Sequence, residues 1–151
     1  MTAGRVIDGE LALVPYYPAP ETALAWYLDP ELCRQIDNRP EPYTPERLER
    51  MYEWLNARGR LWYIRYRGEL VGDAALRDDG EVCIVLRRES ENMHIGRRVI
   101  RELLAAAREA GMAEVRAVIY GFNAQSRRAF EAAGFEHAGG ENYVFRFGED
   151  A

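Results

Sequence analysis

Leu86 and Gly96 bracket the segment of this chain with the clearest capacity for chemistry. Ile84-Val85-Leu86 reads as a strand end, Arg87 to His94 as a polar loop, and Ile95-Gly96-Arg97-Arg98 as the start of a long helix. A loop that feeds a helix N-terminus exposes backbone N–H groups without internal partners, at the positive end of the helix dipole. Such an end receives a phosphate or diphosphate. Arg97 and Arg98 in the first turn, with Arg87, Arg88 and Arg101 close in sequence, would add charge-assisted contacts. Basic side chains oppose the dipole there, and a bound anion would reconcile them. The plainer alternative is a solvated loop whose arginines pair with Glu89, Glu91 and Glu102.

A second segment reads Asn123-Ala124-Gln125-Ser126, then Phe130-Glu131, then Gly134-Phe135. It follows a β-rich run and opens a helix, so Asn123 also suits an N-cap. Together the two segments resemble the GNAT acetyltransferases. The first is similar to that family's coenzyme A motif, Q/R-x-x-G-x-G/A. The second is similar to its N-x-x-[AS]-x-x-x-[YF]-E-x-x-G-F signature. The likeness runs from about Leu61 to Phe147, more loosely before that, and leans toward the branch that acetylates ribosomal proteins and small amines.

The resemblance implies an α+β fold: a mixed, mostly antiparallel sheet flanked by helices, with a central β-α-β cofactor unit. It implies acetyl-coenzyme A as the donor. Backbone groups of Val85 and Leu86 would hold the pantetheine amides. The stretch Glu91, Asn92, Met93, His94, Ile95, Gly96, Arg97 and Arg98 would hold the diphosphate, with Asn123 and Ser126 beside the pantetheine arm. Two positions depart from the loop pattern, Glu91 in place of glutamine or arginine and His94 in place of the first glycine. Histidine accepts left-handed backbone angles at a cost that glycine does not have.

The implied reaction is direct attack of a neutral amine on the thioester, assisted by a backbone N–H and by a base that takes the amine's proton. Glu81 is the first candidate base and Asp73 the second. The family's tyrosine acid corresponds here to Phe130, so Tyr120 or Tyr143 is the candidate donor to the leaving thiolate. The acceptor would enter beside the N-terminal helices, where Tyr16, Tyr17, Trp26, Tyr27, Tyr43, Tyr52 and Trp54 alternate with acids. Aromatics with acids suit a cation. The same aromatics equally suit packing of the helices onto the sheet. Two other readings stand beside the enzyme: a silent coenzyme A sensor, and a protein-interaction domain of the same fold.

Periodicity predicts the elements that must position these groups. Residues 10–14 read as a first strand and Glu21 to Leu28 as a helix that stops before Asp29-Pro30. Thr44-Pro45-Glu46 starts a helix that runs toward Gly59, with Leu48, Met51, Tyr52 and Leu55 at helical spacing. Strands follow at Trp62 to Tyr66, Leu70 to Leu76 and Val82 to Leu86, the last apolar throughout and expected to be central. A long amphipathic helix from Gly96 to Ala110 ends at Gly111. A strand at Val115 to Tyr120, a helix at Asn123 to Ala133 and a strand at Tyr143 to Phe147 complete the chain.

The 151 residues suit one domain with one core, spanning residues 1–151. Net charge is −5, which disfavours a nucleic-acid partner and mildly favours a cationic substrate. All 20 basic residues are arginine. No apolar run approaches a membrane span, and a cytoplasmic protein without a membrane partner is expected. A homodimer remains open. Cys33 and Cys83 are expected as two buried thiols, and no metal-ligand spacing exists among the two cysteines and two histidines.

Overall fold

Prolines and short polar caps set where the N-terminal helices begin. Helices α1 (Pro20–Tyr27), α2 (Pro30–Asp37) and α3 (Pro45–Ala57) each carry proline in the first turn, where its missing N–H costs nothing. The Asp29 carboxylate accepts from the Glu31 N–H at 2.9 Å, and the Thr44 hydroxyl from the Arg47 N–H at 3.1 Å. Asn38, with φ +59°, closes α2. The computed structural model describes residues 2–91 and 93–148. Among them no helix is long and apolar enough to cross a membrane.

Strands β1 (Arg5–Val6), β2 (Leu11–Pro15), β3 (Gly59–Tyr66), β4 (Glu69–Arg77) and β5 (Val82–Leu86) form an antiparallel sheet in sequence order. Helix α4 (Ile95–Glu109) follows, then β6 (Glu114–Val118), α5 (Ala124–Ala132), β7 (Glu136–His137) and β8 (Asn142–Arg146). The last three strands make a second antiparallel sheet in the order β6-β8-β7. Glu81 and Arg116 form a parallel bridge between the sheets, and the Arg116 N–H donates to the Gly80 carbonyl at 2.8 Å.

The architecture is the expected α+β fold, and β5-α4-β6 is the expected β-α-β unit. The expected central place of β5 is corrected. It ends the five-stranded sheet, and most of its apolar run is only half-buried. Its second edge meets β6 at the Glu81 bridge alone among the described residues. Its apolarity therefore serves a cavity, not a continuous sheet. Gly72 sets the other edge: a Cβ there would lie 2.0 Å from the Val85 carbonyl oxygen, so no larger residue lets β4 approach β5 this closely.

The sheets separate two cores. On one face α4 and α5 pack against Leu13, Ile64, Ala74 and Val82. Helix α4 buries Val99, Ile100, Leu103, Leu104, Ala106 and Ala107 on one stripe. Truncating Leu103 to alanine would cost about 2–5 kcal/mol. On the other face α1, α2 and α3 pack through Trp26, Tyr27, Leu32, Tyr43, Leu48 and Tyr52. The N-terminal aromatics thus hold helices to sheet. Cys33 is buried, Cys83 half-buried, and both thiols are free.

Candidate active site

Strands β5 and β6 leave the Glu81–Arg116 bridge side by side and do not pair again among the described residues. A cavity of about 250 Å³ opens into the gap. Ile84, Val85 and Leu86 of β5 form one wall. Helix α2 contributes Leu32, Gln35 and Ile36 from one layer. Helix α4 contributes Ile95, Gly96, Arg97 and Ile100 from the other, with Asn123, Ser126, Arg128 and Phe130 from α5 and its cap. Its wall is drawn from elements of both layers.

Ladder alternation decides which backbone groups face it. Asp73 pairs with Val85, and the Arg87 N–H donates to the Val71 carbonyl at 2.8 Å. Val85 and Arg87 therefore turn their polar groups toward β4, and Ile84 and Leu86 turn theirs outward into the gap. A row of main-chain donors and acceptors is available there to an extended ligand.

At the mouth of α4, His94 is the N-cap with φ +59°, the left-handed conformation expected of it. Gly96 is helical, and a Cβ on it would touch nothing nearer than Leu86 Cδ1 at 3.9 Å. Neither backbone angle nor protein packing requires glycine there. The bare Cα faces the cavity and leaves room for a ligand to approach the main chain. Arg97 and Arg128 reach the cavity from two helices, with no carboxylate within ion-pair distance among the described residues. Asn123 accepts from the Ser126 N–H at 3.2 Å, so its Oδ1 caps α5.

Of the remaining predicted positions, Glu91 lines the cavity, whereas Met93 is exposed and off the wall. Asn92 lies outside the described residues. Arg98 turns away to Asp8 at 2.8 Å and Glu10 at 3.5 Å, tying α4 to the β1–β2 turn. Glu81 is bound by Arg77 at 3.0 Å, at the closed end of the gap and off the wall. Tyr120 has left its strand, because β6 ends at Val118 and the chain turns there; its ring stacks on Phe122 off the wall. Tyr143 is buried in β8.

Asp73 lies directly across from Val85, one strand behind the wall, and is 2% exposed. Burial pushes its carboxyl up to about 6, opposed by hydrogen bonds from the Tyr27 and Tyr52 phenols. Burial first, and then the Asp73 charge, hold both phenols above their ordinary range.

A family model described as an acetyltransferase (GNAT) domain matches residues 10–136. The chain belongs to the GNAT acetyltransferase family. Solved structures agree on the fold of this GNAT domain. A GNAT-family acetyltransferase from Bacillus anthracis is 16% identical, covers 94% of this chain and 96% of its own, and superposes with TM-score 0.76. The Salmonella typhimurium enzyme that modifies the N-terminal serine of a 50S ribosomal subunit protein is 12% identical, with coverage of 97% and 100% and TM-score 0.75. Spermidine N-acetyltransferase from Vibrio cholerae, solved with CoA and spermine, is 14% identical, with coverage of 92% and 96% and TM-score 0.76. No curated protein matches the sequence.

GNAT acetyltransferases take their acetyl group from acetyl-coenzyme A, and this cavity has the features such a donor needs. The free edge of β5 offers amide partners, Gly96 leaves the α4 mouth open, and Arg97 and Arg128 supply positive charge. Sequence reasoning missed the α2 wall and Arg128. Asp29-Pro30-Glu31 repeats the helix-start chemistry of Thr44-Pro45-Glu46 and is the signal that marks α2.

Proposed function

We propose that this GNAT domain moves an acetyl group from acetyl-coenzyme A to a primary amine, on a small molecule or a peptide N-terminus, by direct attack. The observation that carries the reading is one cavity at the β5 edge whose wall comes from α4 and α5 on one side and α2 on the other. Two reactants can then meet from opposite layers at the β5 edge. Acetyl-coenzyme A supplies an activated thioester carbonyl. The outward main chain of Ile84 and Leu86 holds the pantetheine arm and donates an N–H to the developing oxyanion. Met93 to Arg97 hold the diphosphate through main-chain N–H groups, with Arg97 and Arg128 adding charge. Asn123 and Ser126 bound the arm from α5.

A proton must leave the amine before it attacks. Neither candidate carboxylate lines the cavity: Arg77 holds Glu81, and Asp73 lies one strand behind Val85, so an ordered water is the immediate acceptor and Asp73 the carboxylate assigned behind it. Phe130 stands where relatives place a tyrosine and packs edge-on against Phe135 at 5.0 Å. A leaving thiol of pKa about 8.5 departs without an acid. The amine class draws support from two similar structures, the ribosomal-protein and spermidine acetyltransferases.

Calorimetry with acetyl-coenzyme A, followed by thiol release over a panel of polyamines, aminoglycosides, amino acids and peptide N-termini, tests the proposal. Binding with turnover of at least one amine is expected. No heat and no thermal shift at millimolar donor would overturn it.

A further inference from the structure

Asp73 belongs to a row of cross-strand neighbours that runs from Tyr63 on β3 to Val85 on the cavity wall. Directly paired residues of antiparallel strands share one face of a sheet. The carboxylate and the Val85 side chain therefore stand together on the side of α1, α2 and α3. Two phenols reach Asp73 from that side, Tyr27 at 2.6 Å and Tyr52 at 2.8 Å, and both end on Oδ2. Oδ1 accepts no hydrogen bond among the described residues.

Each carboxylate oxygen has two lone-pair sites, and a phenol has a single O–H to donate. Two donors thus fill Oδ2, and a proton arriving at Asp73 must settle on Oδ1. The donors are held in place: Tyr27 and Tyr52 are 0% and 2% exposed, and their rings pack on Tyr43 at 4.8 Å and on Tyr16 at 5.1 Å. Asp73 has no ion pair among the described residues, so these two hydrogen bonds are what stabilises its charge. The other titratable groups facing it are Tyr63 on β3 and Cys83 on β5. Burial keeps both neutral, with the thiol pushed up to about 12.

We infer that Tyr27 and Tyr52 are positioning residues for proton removal: by filling Oδ2 they keep Asp73 ionised and leave Oδ1 as the atom that takes the proton. This rests on the acetyltransferase reading of the cavity, with Asp73 behind an ordered water. The amine's proton passes to the water as the water's own proton passes to Oδ1, which frees the nitrogen lone pair to attack. Burial and the Asp73 charge hold both phenols above their ordinary range, so neither gives up its proton.

The test follows two midpoints in the wild type, Tyr27→Phe and Tyr52→Phe. One is the pH titration of the Asp73 carboxyl carbon by NMR, its signal assigned by its loss in Asp73→Asn. The other is the acid limb of kcat, read as thiol release from acetyl-coenzyme A with spermidine or a seryl peptide, whichever turns over faster. Both should lie near pH 6 in the wild type. Losing one donor favours the protonated form, so each variant should raise both midpoints by about one pH unit. At pH 6 kcat should then fall about fivefold, with the high-pH plateau and KM kept within about threefold. Where a phenylalanine variant does not fold, a monofluorinated tyrosine in place of Tyr52, a stronger donor of nearly the same size, should lower both midpoints. Midpoints that stay put in the folded variants, or a kcat reduced equally at every pH, would overturn the inference. If neither acceptor turns over while the carboxyl titration still shifts, the acetyltransferase reading and the catalytic role fall together, and the hold of the phenols on Asp73 stands.

Discussion

The Tyr27 phenol on α1 donates a 2.6 Å hydrogen bond to Asp73 Oδ2 on β4, and Tyr52 on α3 donates another of 2.8 Å to the same oxygen. One buried carboxylate thus ties two N-terminal helices to the strand behind the cavity wall. Tyr27→Phe and Tyr52→Phe should each cost about 1–3 kcal/mol in urea unfolding, because each leaves a buried charge with one donor fewer. The double variant should cost less than the sum, since the two hydroxyls share one acceptor. Strict additivity would show that the shared oxygen does not couple them.

Asp73 also makes stability depend on pH. Its carboxyl rises from 3.8 to about 6 in the fold, so the native state holds the proton more tightly than the unfolded chain. The stabilisation is fully present below about pH 4 and is lost as pH rises through about 6, a change of about 3 kcal/mol. The wild type should therefore lose stability relative to Asp73→Asn between pH 4 and pH 7. Parallel pH curves for the two proteins would contradict this. If Asp73 also receives the amine proton, kcat of Asp73→Asn should fall by at least tenfold.

Gly96→Ala should separate stability from binding. A methyl group there favours the helix by about 0.5–1 kcal/mol and meets no protein atom closer than 3.9 Å. The same methyl group fills the space over the main chain at the α4 mouth. Thermal unfolding should move up slightly while acetyl-coenzyme A binding weakens by roughly tenfold. Equal affinity would mean that the donor does not approach this helix end.

His94→Gly should act the opposite way. The left-handed angle of residue 94 costs a β-carbon-bearing residue about 1 kcal/mol, which glycine avoids. Equal or tighter donor binding is expected by calorimetry. A large loss would show that the imidazole itself holds the ligand.

Glu81→Gln checks the placement of the first candidate base. The Arg77 contact is on a partly exposed edge, with each side chain 22% accessible, so its loss should cost less than about 1 kcal/mol. kcat should not change. A fall of tenfold or more with the fold intact would return Glu81 to the reacting centre.

Local chemistry decided much of this protein before any folding. The caps at Thr44 and Asn123, the stripe on α4, and the turn at Asp78-Asp79-Gly80 follow from short-range rules. The helix start at Gly96, with a left-handed His94 ahead of it, follows from the same local rules. These are properties of consecutive residues, which is why spacing reveals them.

Tertiary structure alone decided the rest. An apolar run such as Val82 to Leu86 looks the same in a sheet centre and at a split edge, because pairing partners lie far away in sequence. Only the single bridge at Glu81 shows that β5 and β6 diverge and open the cavity. The place of Glu91 in the wall of a cavity that α2 helps to form, and the burial of Asp73 beneath Tyr27 and Tyr52, depend on how α1, α2 and α3 seat on the sheet. Electrostatic environment is a property of neighbours in space, and those neighbours exist only once the helices have packed.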